Sequence, residues 1–161
     1  MTTAAVVPIA RKDKSLNVVL RPIHTQWLRD AHRFLDPSLE PGANFWTRWA
    51  AVRYISDDFL RQYQREHALV DELRPFLKPH AAKRLFQEAE QVCRLRLALD
   101  RIGRRRGTAA EFAGGARDLL EQLGLWCTEI ELAACDLTPD ILTPEGADLF
   151  AHLEAELETA R

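Results

Sequence analysis

Apolar residues recur every three or four positions over most of this chain, and no segment alternates apolar with polar as a half-buried strand does. Such spacing gathers the apolar side chains of each helix into one stripe, which must be buried against other stripes. The expected fold class is therefore all-α, an antiparallel bundle of four to five helices in a single domain. At 161 residues, with 47% apolar and 29% charged residues, the chain has the size and balance of one globular domain.

The punctuation agrees with this reading. Residues 1–19 read as a flexible N-terminal lead-in and 20–161 as the bundle domain. Pro22 suits the first position of a helix running to about Leu35, with Ile23, Trp27, Ala31 and Phe34 inward. After the turn-rich loop 36–44, one long helix is predicted from Asn44 to Leu73. Its stripe holds Phe45, Trp49, Val52, Ser56, Phe59, Tyr63, His67 and Val70. Pro75 and Pro79 make a corner into a central helix, 80–105, built on Leu85, Ala89, Val92, Leu95, Leu99 and Ile102, with Phe86, Cys93 and Leu97 widening that face. Gly107 is expected to take the left-handed cap after it. Thr108 to Glu111 is a capping box opening a fourth helix through Phe112, Leu119, Leu123, Trp126 and Ile130. Its glycines Gly114, Gly115 and Gly124 suggest close packing or a bend. Pro144 starts the last helix, with Leu149, Phe150, Leu153 and Leu157 inward.

No apolar run reaches the ~20 residues of a membrane span, so no membrane partner is expected. The apolar stretch Ala4–Ala10 is followed rather than preceded by basic residues, unlike a secretory signal. Cys93, Cys127 and Cys135 are odd in number and match no zinc or redox spacing. Buried free thiols in a reducing, cytoplasmic setting follow.

The net charge of −2 conceals a polarity. Residues 1–106 hold 20 basic and 12 acidic residues, whereas 107–161 hold 2 and 12. Either acidic helices neutralise basic ones, or two faces of opposite sign serve two partners.

Several groups could carry chemistry. Arg94, Arg101 and Arg105 fall opposite the inner seam of their helix, and Arg104 and Arg106 add charge at its end. This arginine row could bind phosphates, although no aromatic residue is interleaved with it to stack bases. Arg96 projects into the apolar face with Asp100 four residues on, as a buried ion pair or an interface contact. Trp46, beside Arg48 and Arg53, suits a protein interface.

The segment Arg61-Gln62-Tyr63-Gln64-Arg65-Glu66-His67 resembles the arginine–polar–four residues–histidine signature of HEPN ribonucleases, which are all-helical. The resemblance covers seven residues. It implies metal-independent RNA cleavage at a dimer interface, with Arg61 and His67 catalytic and Gln62 supporting. On a straight helix, however, Arg61 and His67 lie ~120° apart.

His67 with Asp71 and His152 with Glu156 have helical ligand spacing, but no Glu-x-x-His occurs. No metal or cofactor is expected, and His24, His32 and His80 show no further pattern. There is no Gly-x-Ser-x-Gly and no phosphate-cradling glycine loop.

The function these features suggest first is a non-enzymatic interaction module, a small subunit or adaptor that binds a protein partner or a second copy of itself. The alternatives are a nucleic-acid-binding accessory protein using the arginine face, and a HEPN-like ribonuclease.

Overall fold

The computed structural model describes residues 15–159, with backbone only at 156–158. Among the described residues six α-helical segments run α1 (Asn17–Leu35), α2 (Phe45–Ser56), α3 (Asp58–Leu73), α4 (Pro79–Arg104), α5 (Ala109–Ala133) and α6 (Pro144–Thr159). Short 3₁₀ turns follow α1 and α3 and precede α6. With α2 and α3 taken as one interrupted helix, five helices make the all-α bundle. No helix among the described residues is long and apolar enough to cross a membrane.

The most extensive packing is of α4 along α5, and α1 closes over α5 from the other side. The core they share includes Leu20, Trp27, Ile55, Phe59, Leu69, Leu85, Leu99, Phe112, Leu119, Leu123 and Trp126. The predicted seams of α4 and α5 are in place, with Leu95 and Ile102 half-buried at the margin. In α6, Phe150 and Leu153 are buried, while the side chain of Leu157 lies outside the described residues.

Helix α1 begins five residues before Pro22, so residues 15–19 belong to the fold rather than to a lead-in. Leu16 and Leu20 continue the Ile23–Trp27 stripe and are fully buried, and the Leu16 amide donates to the Leu137 carbonyl at 2.8 Å. Burial overrides the extended preference of Val18 and Val19. Residues 1–14 of the expected lead-in lie outside the described residues.

The predicted long helix 44–73 is broken at Asp57, whose φ of −110° and ψ of −85° leave the helical region. The hydroxyl of Ser56, in the last turn of α2, donates to Asp100 on α4 at 3.0 Å. Arg96 does not pair with Asp100. Its Nη1 donates to the Ile55 carbonyl at 3.3 Å, while Asp100 accepts two 3.0 Å bonds from Nε of Arg104. Together these side chains hold the break against α4.

The turn between α4 and α5 differs from expectation in one residue. Arg106, not Gly107, takes the left-handed conformation, with φ of 55°. The Gly107 amide then donates to the Ile102 carbonyl at 3.0 Å, a Schellman closure. Thr108 Oγ1 accepts from the Glu111 amide at 3.1 Å, as its capping position predicts.

Only Gly115 of the three α5 glycines is packed, since a Cβ there would sit 3.1 Å from Leu99 Cδ1. One at Gly114 or Gly124 would meet nothing within 4 Å. The glycine that close packing requires is Gly103 of α4, where a Cβ would collide with the Val52 side chain. Two further expectations are revised: Leu97 is exposed, and of the three free thiols only that of Cys127 is buried, with Cys93 half-buried and Cys135 exposed.

Candidate functional site

Helix α2 opens at Asn44, whose side-chain oxygen accepts from the Thr47 amide at 3.0 Å. On a helical wheel Phe45 and Trp49 share the side of buried Val52, which is why periodicity places them in the core stripe. They are nevertheless 49% and 38% exposed, and Trp46 beside them is 73% exposed. The cause is the neighbour: α4 ends at Arg104, so the first turn of α2 projects alongside its terminus.

The result is a groove of about 360 Å³ lined by Phe45, Arg48, Trp49, Gly103 and Arg106. Phe45 meets Trp46 edge-on at 5.3 Å between centroids and lies within 9° of parallel to Trp49. Arg48 is held by a 3.2 Å bond from Nη1 to the Ala43 carbonyl. Arg106 is set by the left-handed turn. Among the described residues, two guanidinium groups and no carboxylate line the groove.

The arginine row of α4 is exposed at Arg94, Arg101, Arg104, Arg105 and Arg106. Arg94 stands 3.7 Å from Glu90, and Arg104 is taken by Asp100. Among the described residues no side-chain bond or ion pair holds Arg101, Arg105 or Arg106. Arg84 with Glu129, 3.5 Å apart, is an ion pair between α4 and α5. The row is thus largely left to solvent. Through Arg106 it meets the aromatic residues that its own helix lacks.

Arg53 does not join this groove; it lines a separate hollow with Phe34, Tyr54, Asp57 and Asp58. Arg61 is exposed, 3.8 Å from Asp58, and lines a mixed-charge cleft of about 390 Å³ with Trp27, Tyr54 and Gln62. His67 faces the other way, between the rings of Tyr63 and Phe86, with Asp71 3.6 Å from Nδ1. Gln62 donates to Glu66 at 3.1 Å rather than to either. Among the described residues no three histidine, cysteine or carboxylate side chains cluster as a metal would require.

One polar centre escaped the sequence pattern. His24 of α1 and Glu66 of α3 are 2% and 0% exposed, with His24 Nε2 3.0 Å from Glu66 Oε2. Glu131 of α5 lies 3.3 Å from His24 Nδ1, and Arg21 3.4 Å from Glu131. Burial alone would lower the His24 pKa, but Glu66 and the bonds to both carboxylates outweigh it and push it up to about 9. The imidazole is therefore charged at neutral pH. The neighbouring Cys127 thiol is held protonated by burial and by the same two carboxylates. A signal existed in the sequence: His24 and Glu66 fall on inward stripes of different helices, where opposite charges would have to pair.

Comparison with protein-family models, with curated proteins and with solved structures finds no match to this chain.

Proposed function

We propose that this protein is a non-enzymatic interaction module, a small helical subunit or adaptor whose binding face is the groove at the start of α2. One observation carries the reading: Phe45, Trp46 and Trp49 stand exposed and contiguous, with Arg48 and Arg106 at their edge. Aromatic and arginine side chains dominate the energetics of protein interfaces, because rigid rings bury much area at little conformational cost and the guanidinium adds charge-assisted hydrogen bonds. The free thiols of Cys93, Cys127 and Cys135 suit a cytoplasmic setting. The test is quantitative affinity capture with the wild-type chain and with a Trp46→Ala/Trp49→Ala variant of unchanged helicity. A partner retained equally by both would place the interface elsewhere.

A second reading, nucleic-acid binding, is favoured by the meeting of Arg106 with Phe45 and Trp49. Phosphates could engage Arg101, Arg105 and Arg106 while a base stacks on an aromatic ring. Anisotropy of labelled single-stranded RNA and duplex DNA at two salt concentrations checks it. Salt-sensitive binding lost in Arg101→Glu/Arg105→Glu would support it, and no binding at low salt would end it.

A further inference from the structure

We infer that the occupant of the α2 groove is a second copy of this chain, docked through the outer face of its α5. The inference rests on the reading of the groove as a protein interface.

Asp118, Glu121, Leu125, Thr128 and Leu132 are all exposed and follow one another at spacings of three, four, three and four. That spacing lines them up as a single seam about 21 Å long, opposite to the buried one. Leu125 is 48% exposed and Leu132 63%, so the seam presents apolar side chains that nothing among the described residues covers. Arg117 is the only basic residue of α5.

The glycines supply an independent observation. Gly114 and Gly124 sit inside this helix, where each weakens helix propensity relative to Ala. Neither is required by an internal neighbour, because an added Cβ would meet open space. A close approach from outside the molecule accounts for both, by letting another surface come near the backbone beside the seam.

The two surfaces are complementary in charge and in character. The groove offers aromatic rings with Arg48 and Arg106 and no carboxylate. The seam offers two leucines preceded by two carboxylates. Apolar contact would bury the leucines against Phe45, Trp46 and Trp49, while Asp118 and Glu121 would meet the arginines. The groove residues come from the basic part of the sequence before Gly107, and the seam residues from the acidic part after it. Two copies related by a two-fold axis would make this contact twice, groove to seam and seam to groove, and so close the assembly.

Sedimentation velocity of the full chain over a range of concentrations tests this. A dimer should form at or below about 100 µM protein in ~0.1 M salt, and weaken at ~1 M, where the screening length falls from roughly 10 to 3 Å. Arg48→Glu/Arg106→Glu should weaken association at least ~10-fold, and so should Asp118→Arg/Glu121→Arg. Mixing the two charge-reversed proteins should restore it, since each then finds an opposite charge at both contacts. Leu125→Ala/Leu132→Ala, exposed in the monomer and so harmless to folding, should also abolish it.

A monomer at every concentration overturns the inference. If affinity capture still yields a partner that depends on Trp46 and Trp49, the groove remains a protein interface for another chain. Labelled RNA lost on the same substitutions would instead make that monomer a nucleic-acid binder. Association untouched by either charge reversal and by the leucine substitutions overturns both the inference and its use of the groove.

Discussion

The imidazole of His24 and the carboxylate of Glu66 are 3.0 Å apart in the middle of the bundle, with both side chains closed to solvent. This contact joins α1 to α3, and Glu131 ties the same imidazole to α5. Three helices are thus clamped through one ring that must carry a proton.

A stability profile follows from the direction of the His24 shift. Its pKa rises from 6.5 in the open chain to about 9 in the fold, so the folded state binds the extra proton between those values. The stabilisation is complete below pH 6.5 and is lost as pH rises through about 9. Its size is on the order of 3 kcal/mol. Thermal unfolding measured from pH 6 to 10 should show the Tm falling across this window, and His24→Gln should flatten that part of the curve. A wild-type profile level to pH 10 would contradict the assignment.

The pair should also behave as a unit. Glu66→Leu or His24→Leu alone leaves a buried charged partner uncompensated, which costs about 3–5 kcal/mol. Removing both charges with His24→Leu/Glu66→Leu should cost less than the worse single change, because nothing ionised is then stranded between α1 and α3. Urea unfolding of the four proteins closes the cycle. Purely additive losses would show that the two groups do not interact.

Glycine substitutions should separate internal from external crowding. Gly103→Ala drives a methyl group into Val52 where α2 crosses α4, and should destabilise the monomer by about 1–3 kcal/mol. Gly114→Ala meets no atom of its own chain and should stabilise the monomer by up to about 1 kcal/mol through helix propensity. Denaturant midpoints at low protein concentration measure both. A destabilising Gly114→Ala would mean that α5 needs that glycine for its own fold.

These positions show what sequence alone could reveal. The seams of α4 and α5 were legible because each helix repeats its apolar spacing over many turns, as Leu85, Val92, Leu99 and Phe112, Leu119, Leu123 do. The break at Asp57 was not, because apolar spacing continues straight through it. What holds it is tertiary, the Ser56–Asp100 bond and the reach of Arg96 to Ile55. Phe45 and Trp49 had the correct angle on the wheel, but a wheel cannot show that the neighbouring helix stops at Arg104. Gly103 lies in a basic run, with no local sign that Val52 presses on it. Arg106 and Phe45 line one groove although about sixty residues separate them in the chain, a juxtaposition no local pattern encodes.

Arg106 offers the sharpest trade between stability and binding. A non-glycine residue with φ of 55° costs about 1 kcal/mol relative to glycine, and this position is the left-handed site of a Schellman turn, where glycine is the usual occupant. Arg106→Gly should therefore raise stability by about 1 kcal/mol, read as an increase in Tm of a few degrees. The same change removes one of the two cations lining the groove. If the groove is the binding face, the stabilised variant should bind its partner more weakly, with a slower association rate that depends less on salt. Differential scanning calorimetry and an association measurement on one preparation decide the matter. A variant that is more stable and binds as before would mean that Arg106 is strained for no purpose of this groove, and that recognition depends on the aromatic residues alone.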